Sequence, residues 1–407
     1  MSSQAVDNVR LRYVARLRYG MGQPPPLSDG EGVPILRATN IQRGRITRQD
    51  LQRARLQDLP LDRAPLLEVG EILVVRSGAY TGDSAIVTDE WVGAAPGYDL
   101  RVTPGTAVDP RFLSWCLLSR YCLDQIELMR TRAAQPHINA DELASLRIPL
   151  PERQVQRRIA DYLDTETASI DLMLSKIDRV ASLSRQRLDE LATWKICGEA
   201  GIANKSWRSA PLWSLANNTL KYGAGESGQA DAPEGWPRYI RITDIAGPHT
   251  LRGSGMKFTH PRVAADYPLR NYDILLARSG ATVGKSFLYD DGLHGYATWA
   301  GYLIRLRLAQ DRMLPAFFMW YARTRGYWSQ VTGGAPISTI QNFSAERYSA
   351  LRVPTPPMAE QVRIVKSLDD AANRTRTFLA ALKRQERLLK ERRQALITVA
   401  VTGEVEV

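Results

Sequence analysis

Leu146-Arg147-Ile148-Pro149-Leu150-Pro151 and Leu351-Arg352-Val353-Pro354-Thr355-Pro356 are nearly the same phrase, written twice at an offset of 205 residues. Held without gaps from 146 to 164, that offset gives nine identities in nineteen positions: Leu146, Arg147, Pro149, Pro151, Gln156, Arg158, Ile159, Leu163 and Asp164 with their partners. Ordinary residue usage gives roughly one or two. The same offset pairs Gly198-Glu199 with Gly403-Glu404. A repeat of this period is half the chain, so the architecture is a doubled unit.

Landmarks upstream of the phrase recur in the same order at slightly smaller offsets. Val75-Arg76-Ser77-Gly78 answers Ala277-Arg278-Ser279-Gly280, each preceded by a short apolar run (Glu71-Ile72-Leu73 and Asp273-Ile274-Leu275). Ile35-Leu36-Arg37-Ala38-Thr39-Asn40-Ile41 resembles Tyr239-Ile240-Arg241-Ile242-Thr243-Asp244-Ile245. Short β-branched runs broken by Gly, Pro, Asn and Asp mark residues 1–150 and 207–356 as compact modules with more strand and loop than helix. Apolar spacing predicts one helix in each, over 110–129 and 314–331.

Residues 152–197 and 358–400 contain no proline, and each follows a Pro-rich stop. Steps of seven give Leu163, Ile170, Ile177, Ser184 and Leu191 in the first. In the second they give Leu368, Thr375, Leu382, Leu389 and Leu396. Met173, Leu174, Val180, Ala181, Leu188 and Trp194 widen the first stripe, as Ala371, Ala372, Phe378 and Leu379 widen the second. This predicts two helices of about 45 residues with one heptad-like apolar face each, about 68 Å long at 1.5 Å per residue. Such a face needs cover, and the matching helix of the same chain is always at hand. An antiparallel intramolecular pair is therefore preferred over a parallel homodimer. The expected fold is mixed α/β (α+β): two similar modules joined by two long antiparallel coiled-coil-like helices with pseudo-two-fold symmetry. The expected boundaries are a first module 1–150, a central helix 151–206, a second module 207–356 and a C-terminal helix 357–407.

Of 407 residues, 44% are hydrophobic and 24% charged, as in globular proteins. No stretch nears the roughly 18 apolar residues of a membrane span, and the opening residues do not resemble a secretory signal. Cys116, Cys122 and Cys197 form no CxxC pair. A cytoplasmic protein of bacterial or archaeal type is expected. The net charge of +11 suits a polyanionic partner, although charge alone equally serves solubility.

Candidate DNA contacts come from the doubled polar clusters. Arg76, Ser77, Gly78 and Tyr80 form one turn, and Arg278, Ser279, Gly280 and Lys285 its counterpart. Glycine lets backbone approach closely, and Arg or Lys meets phosphate or guanine edges; a strand-end cap or an ion pair is the plainer role for the arginines. Arg37, Thr39 and Asn40 answer Arg241, Thr243 and Asp244. Asn pairs with adenine and Asp accepts from cytosine, so the difference suits two unlike half-sites, while Thr-Asn and Thr-Asp also make ordinary turns. Gln135 and Gln341 belong to polar segments, 131–139 and 332–342, that suit either DNA contact or module–helix contact. Ser279-Gly280-Ala281-Thr282-Val283-Gly284-Lys285-Ser286 approaches a phosphate-binding loop, but its first glycine is one position late, and Asp83 replaces the lysine in the other copy. His137, His249, His260 and His294 show no zinc spacing. No methyltransferase, nuclease or nucleotide-cofactor motif appears, so neither catalytic residues nor a bound metal or cofactor is expected.

The order of module, Pro-stop, Gln-x-x-Ile-x-x-x-Leu-Asp helix, all doubled, resembles the DNA-specificity subunit of Type I restriction–modification enzymes. The residues that carry it are 146–164 and 351–369, supported by the Arg-Ser-Gly turns with Gly82 and Gly284 and by Arg393–Thr398 and Thr402-Gly403-Glu404. One departure is Glu152-Arg153-Gln154-Val155-Gln156, where the second copy keeps the more usual Ala359-Glu360-Gln361. The resemblance implies a non-catalytic scaffold. Each module would be a target-recognition domain for half of a split site in double-stranded DNA. The helices would set the spacing and dock two methyltransferase subunits, with two restriction subunits as further partners. S-adenosylmethionine would then sit in the methyltransferase, and ATP and magnesium in the restriction subunit. A stand-alone DNA-binding module and a non-catalytic protein–protein adaptor with a coiled-coil bridge are the alternatives.

Overall fold

The structure is a computed structural model that describes residues 8–130, 137–198, 207–333 and 342–405. The chain divides into two compact units, Met1–Asp178 with Lys383–Val407, and Arg179–Leu382. Each unit therefore holds one module together with part of both long helices.

In the first unit the central sheet has β1 (Ala15–Tyr19), β2 (Ile72–Val74), β3 (Ser84–Ile86) and β4 (Leu100–Pro104), all antiparallel in the order β1-β4-β2-β3. The second unit repeats it with β5 (Lys221–Tyr222), β6 (Ile274–Ala277), β7 (Ser286–Leu288) and β8 (Leu303–Leu306), in the order β5-β8-β6-β7. β2 and β6 are buried along their whole length, as their unbroken apolar runs require of central strands. One parallel pairing beside each sheet, Val33–Leu36 with Ala95–Pro96 and Arg238–Ile240 with Ala297–Trp299, makes the modules mixed.

The repeated phrase is a strand. Arg147–Pro149 pairs with Asn8–Arg10, and Arg352–Thr355 with Arg208–Pro211, which returns the chain to the start of its module before the helix leaves. The prolines end each strand, and a buried glutamine anchors the helix that follows. Gln156 donates to the Pro151 carbonyl at 2.8 Å and accepts from the Asp109 N–H at 2.7 Å. Gln361 donates to the Pro356 carbonyl at 3.0 Å and accepts from the Leu314 N–H at 2.9 Å. Such buried amides are costly unless fully bonded, which explains why both copies hold the residue.

The helix expected in each module is two helices. The first module has α1 (Pro110–Leu118) and α2 (Arg120–Arg130). Ser119 breaks them, its hydroxyl donating to the Cys116 carbonyl and accepting from the Cys122 N–H. The long helices are α3 (Arg153–Cys197) and α6 (Met358–Thr402), 45 residues each. The second module's pair, α4 (Pro315–Tyr321) and α5 (Arg325–Thr332), breaks at Thr324, whose hydroxyl donates to Tyr321 and accepts from the Tyr327 N–H. A short hydroxyl side chain competes with the helix for both backbone groups, which apolar periodicity does not register.

Within each unit the long-helix segments run antiparallel. In the first, Ile159, Ala160 and Leu163 share a core with Ile397, Ala400 and Val401, and Asp171 pairs with Arg393. In the second, Leu188, Ala192 and Ile196 share a core with Ile364, Leu368 and Ala371. The apolar stripes are narrower than expected. Leu163, Ile170, Ile177 and Leu368 are buried, whereas Leu191, Leu382, Leu389 and Leu396 are half-buried; Met173, Val180, Trp194 and Phe378 are exposed. Near the end of α6 the buried seam moves one residue on, to Ile397, Ala400 and Val401, because a straight helix drifts against a strict seven-residue repeat.

Candidate nucleic-acid interface

Both Arg-Ser-Gly turns lie at the ends of the central strands, and in both units a second segment named from sequence comes to the same place. The Ile138 N–H donates to the Arg76 carbonyl and the Phe343 N–H to the Arg278 carbonyl, each at 2.8 Å. Ser77 forms a β-bridge with His137, and Ser279 one with Asn342. The polar segments 131–139 and 332–342 thus meet the turns at their described ends; Gln135 and Gln341 themselves lie outside the described residues. Gly82 and Gly284 hold positive φ (92° and 84°), and a Cβ there would come within 2.9 Å of Ile126 and 2.7 Å of Trp328. The turns are therefore pressed onto α2 and α5, where only glycine fits.

Aromatic rings organise the arginines. The Arg76 guanidinium lies between Tyr19 and Tyr98, at 4.8 Å and 4.4 Å from their ring centroids. Arg278 lies 4.7 Å from the centroid of Tyr222, the counterpart of Tyr19. Both tyrosine hydroxyls accept from a helix N-terminus, Tyr19 from the Ala140 N–H and Tyr222 from the Ala345 N–H. Tyr80, Tyr98 and Tyr302 are more than half exposed, and Ser77, Gly78, Gly280 and Lys285 are exposed beside them; Ser279 is half-buried. These surfaces are basic and aromatic, which suits stacking and phosphate contact. Sequence reading named Tyr80 but missed Tyr19, Tyr98, Tyr222 and Tyr302. The doubled Gly97-Tyr98 and Gly301-Tyr302, and Arg18-Tyr19 against Lys221-Tyr222, were the available signal.

Behind Arg76, the carboxyl of Asp99 accepts from the Arg76 backbone N–H at 3.1 Å and leaves Oδ2 buried with no partner among the described residues. Burial pushes its pKa up to about 6, against the lowering pull of that hydrogen bond and of the Arg76 charge. Leu303 takes the matching place in the second unit.

The second doubled cluster needs correction. Asn40 is fully buried; its amide donates to the Thr47 and Gln49 carbonyls and its oxygen accepts from the Arg37 N–H. Asp244 is equally buried, accepting from the Arg241 N–H and twice from its guanidinium. Both pin a turn and neither presents an edge to a base. Arg37 donates to the Asp50 carbonyl and Arg241 to the Gly255 carbonyl, while Thr39 and Thr243 are exposed. The segment resembling a phosphate loop is a short 3₁₀ turn, Gly280–Thr282, leading into β7 rather than a helix. The Gly284 and Lys285 N–H groups bond inward, to Ala277 and Thr282. No backbone cradle for phosphate is formed there.

A family profile described as "Type I restriction modification DNA specificity domain" matches residues 24–181. Over those residues the chain is similar to Type I DNA-specificity domains. The match spans the first module beyond its opening strands and the first part of α3, and the internal repeat carries the same landmarks into the second unit. Similar proteins include the Type I restriction enzyme StySPI specificity subunit of Salmonella potsdam, 21% identical over 83% of this chain and 74% of that protein. The EcoBI specificity subunit of Escherichia coli is 25% identical over 53% of this chain and 42% of that protein. A chain solved in work described as the structural basis of complex assembly and conformational transition of the type I R-M system superposes with a TM-score of 0.74. It is 17% identical, over 99% of both chains, and shows a common fold. Among the described residues, no helix is long and apolar enough to cross a membrane.

Proposed function

We propose that this chain is the DNA-specificity subunit of a Type I restriction–modification enzyme, reading an asymmetric bipartite site and leaving the chemistry to its partners. The observation that carries the reading is the doubled Arg–Tyr turn, placed identically in two modules whose surrounding polar residues differ. Like positions with unlike side chains are what two different half-sites require. Affinity comes from Lys and Arg against phosphate and sequence choice from a few base contacts.

The paired helices dock two methyltransferase subunits, which hold S-adenosylmethionine, and restriction subunits that use ATP and magnesium join that core. Leu172 and Leu388 in the first unit, and Leu183 and Phe378 in the second, are exposed apolar residues on these helices and suit a protein partner. The test is selection from a random DNA pool by the chain assembled with its methyltransferase. Enrichment of two unlike half-sites around an unread spacer is expected. A pool that shows no motif sinks the reading and leaves a protein-bridging adaptor.

A further inference from the structure

Arg76 and Arg278 hold equivalent places but end differently. Arg278 is tied down: its Nε donates to the Asn342 side chain at 3.2 Å and its Nη1 reaches the Gly301 carbonyl at 3.5 Å. The Glu346 carboxyl, held below the usual range chiefly by the Ser344 hydroxyl, also responds to the Arg278 charge. Among the described residues one ring, Tyr222, covers this guanidinium.

The side chain of Arg76 donates to no acceptor among the described residues, and its Nε is buried without a partner. Tyr19 and Tyr98 lie against it instead, and the Asp99 carboxyl, whose Oδ2 has no partner among the described residues, stands behind it. Rings on a guanidinium restrict its plane but satisfy none of its N–H groups, which all lie in that plane. The remaining demand is for two acceptors arriving edge-on. The Hoogsteen edge of guanine offers such a pair at fixed spacing. A phosphate also offers two oxygens, but it takes an ammonium nearly as well and needs no fixed plane.

We propose that Arg76 is the specificity-determining residue of the first unit, presenting its forked edge to O6 and N7 of a guanine in one half-site, while Arg278 is a scaffold residue that reads no base. The inference rests on the DNA-reading function proposed above. Its test is the methylation motif of the assembled enzyme carrying wild-type chain, Arg76→Lys, Arg76→Gln or Arg278→Gln. Both Arg76 variants are expected to lose preference for one guanine in one half-site, with discrimination falling about ten- to a hundredfold, and to keep the other half unchanged. Arg278→Gln is expected to relax no base.

An unchanged motif in Arg76→Lys overturns the proposal, as does a uniform loss of rate on all sites, which is the signature of a phosphate or packing role. Base relaxation in Arg278→Gln overturns it too. Because Arg76→Gln could loosen the tyrosine stack, the wild-type enzyme is also assayed on DNA with 7-deazaguanine at that position. A comparable loss supports the contact, and an unaltered rate overturns it. A wild-type enzyme with no motif sinks the DNA-reading function itself; a clear motif indifferent to Arg76 sinks only this inference.

Discussion

The indole N–H of Trp115 donates to the Asp164 carboxylate at 2.8 Å, and Trp320 repeats the bond to Asp369 at the same distance. This bond joins the first helix of each module to its long helix and accounts for the terminal Asp of the repeated phrase. The copies differ beside it. Arg111 also donates to Asp164 at 2.8 Å, whereas Ala316 stands at its counterpart. Asp164→Ala is therefore expected to cost about 1.5–3 kcal/mol, and Asp369→Ala about 1 kcal/mol. Urea denaturation followed by tryptophan fluorescence reports both, and equal losses would contradict the extra role of Arg111.

A buried ion pair closes the sheet of each unit. Arg101 donates to Glu71 at 2.6 Å and to the Pro65 carbonyl at 2.7 Å, with Thr103 also donating to the same carboxylate. The second unit keeps an arginine, Arg305, at the place of Arg101, but Arg307, at the place of Thr103, is the one that pairs with fully buried Asp273. Glu71→Ala leaves a buried guanidinium uncompensated and should cost about 3–5 kcal/mol. A melting temperature within a degree of wild type would mean that Arg101 is adequately held by carbonyls alone.

How much of this was legible in sequence follows from which interactions have a spacing. Pro-stops, buried strand runs and the long helices are periodic or punctuated, so the architecture could be read from 146–164 and 351–369. The apolar seam was read too wide because a strict seven-residue step ignores helix drift. Asn40 and Asp244 admit both a base reader and a turn anchor in a string of letters, and their burial decides for the turn. Tyr19, at the end of a strand, and Tyr98, in the bend before another, reach Arg76 from places far apart in the chain, and no local pattern announces such a stack.

Asp99 gives the stability a pH dependence. Its folded pKa of about 6 lies above the ordinary 3.8. The group's stabilisation is thus fully present below about pH 3.8 and is lost as the pH rises through about 6. At pH 7.5 the buried carboxylate costs up to about 3 kcal/mol. Asp99→Asn keeps an oxygen for the Arg76 N–H and removes the titration. The variant should be more stable than wild type at pH 7.5, with the advantage shrinking toward pH 4. A difference that stays constant from pH 4.5 to 7.5 would show that desolvation of this carboxylate is not its source.

Lys285 separates positioning on the backbone from reading of bases. It is exposed beside the second Arg-Ser-Gly turn, and Asp83 occupies the same place in the first unit, bonded there to Arg43 at 2.8 Å. An ammonium on a flexible stem is a point charge suited to phosphate, where it displaces a counterion on binding. Lys285→Ala should therefore weaken binding by a similar factor on every sequence. It should also reduce the slope of log affinity against log salt by about 0.9, the contribution of one phosphate. Filter or anisotropy titrations of the assembled complex across a range of salt concentrations measure that slope. If the slope held steady while one base preference relaxed, Lys285 would belong with the base readers of the second half-site.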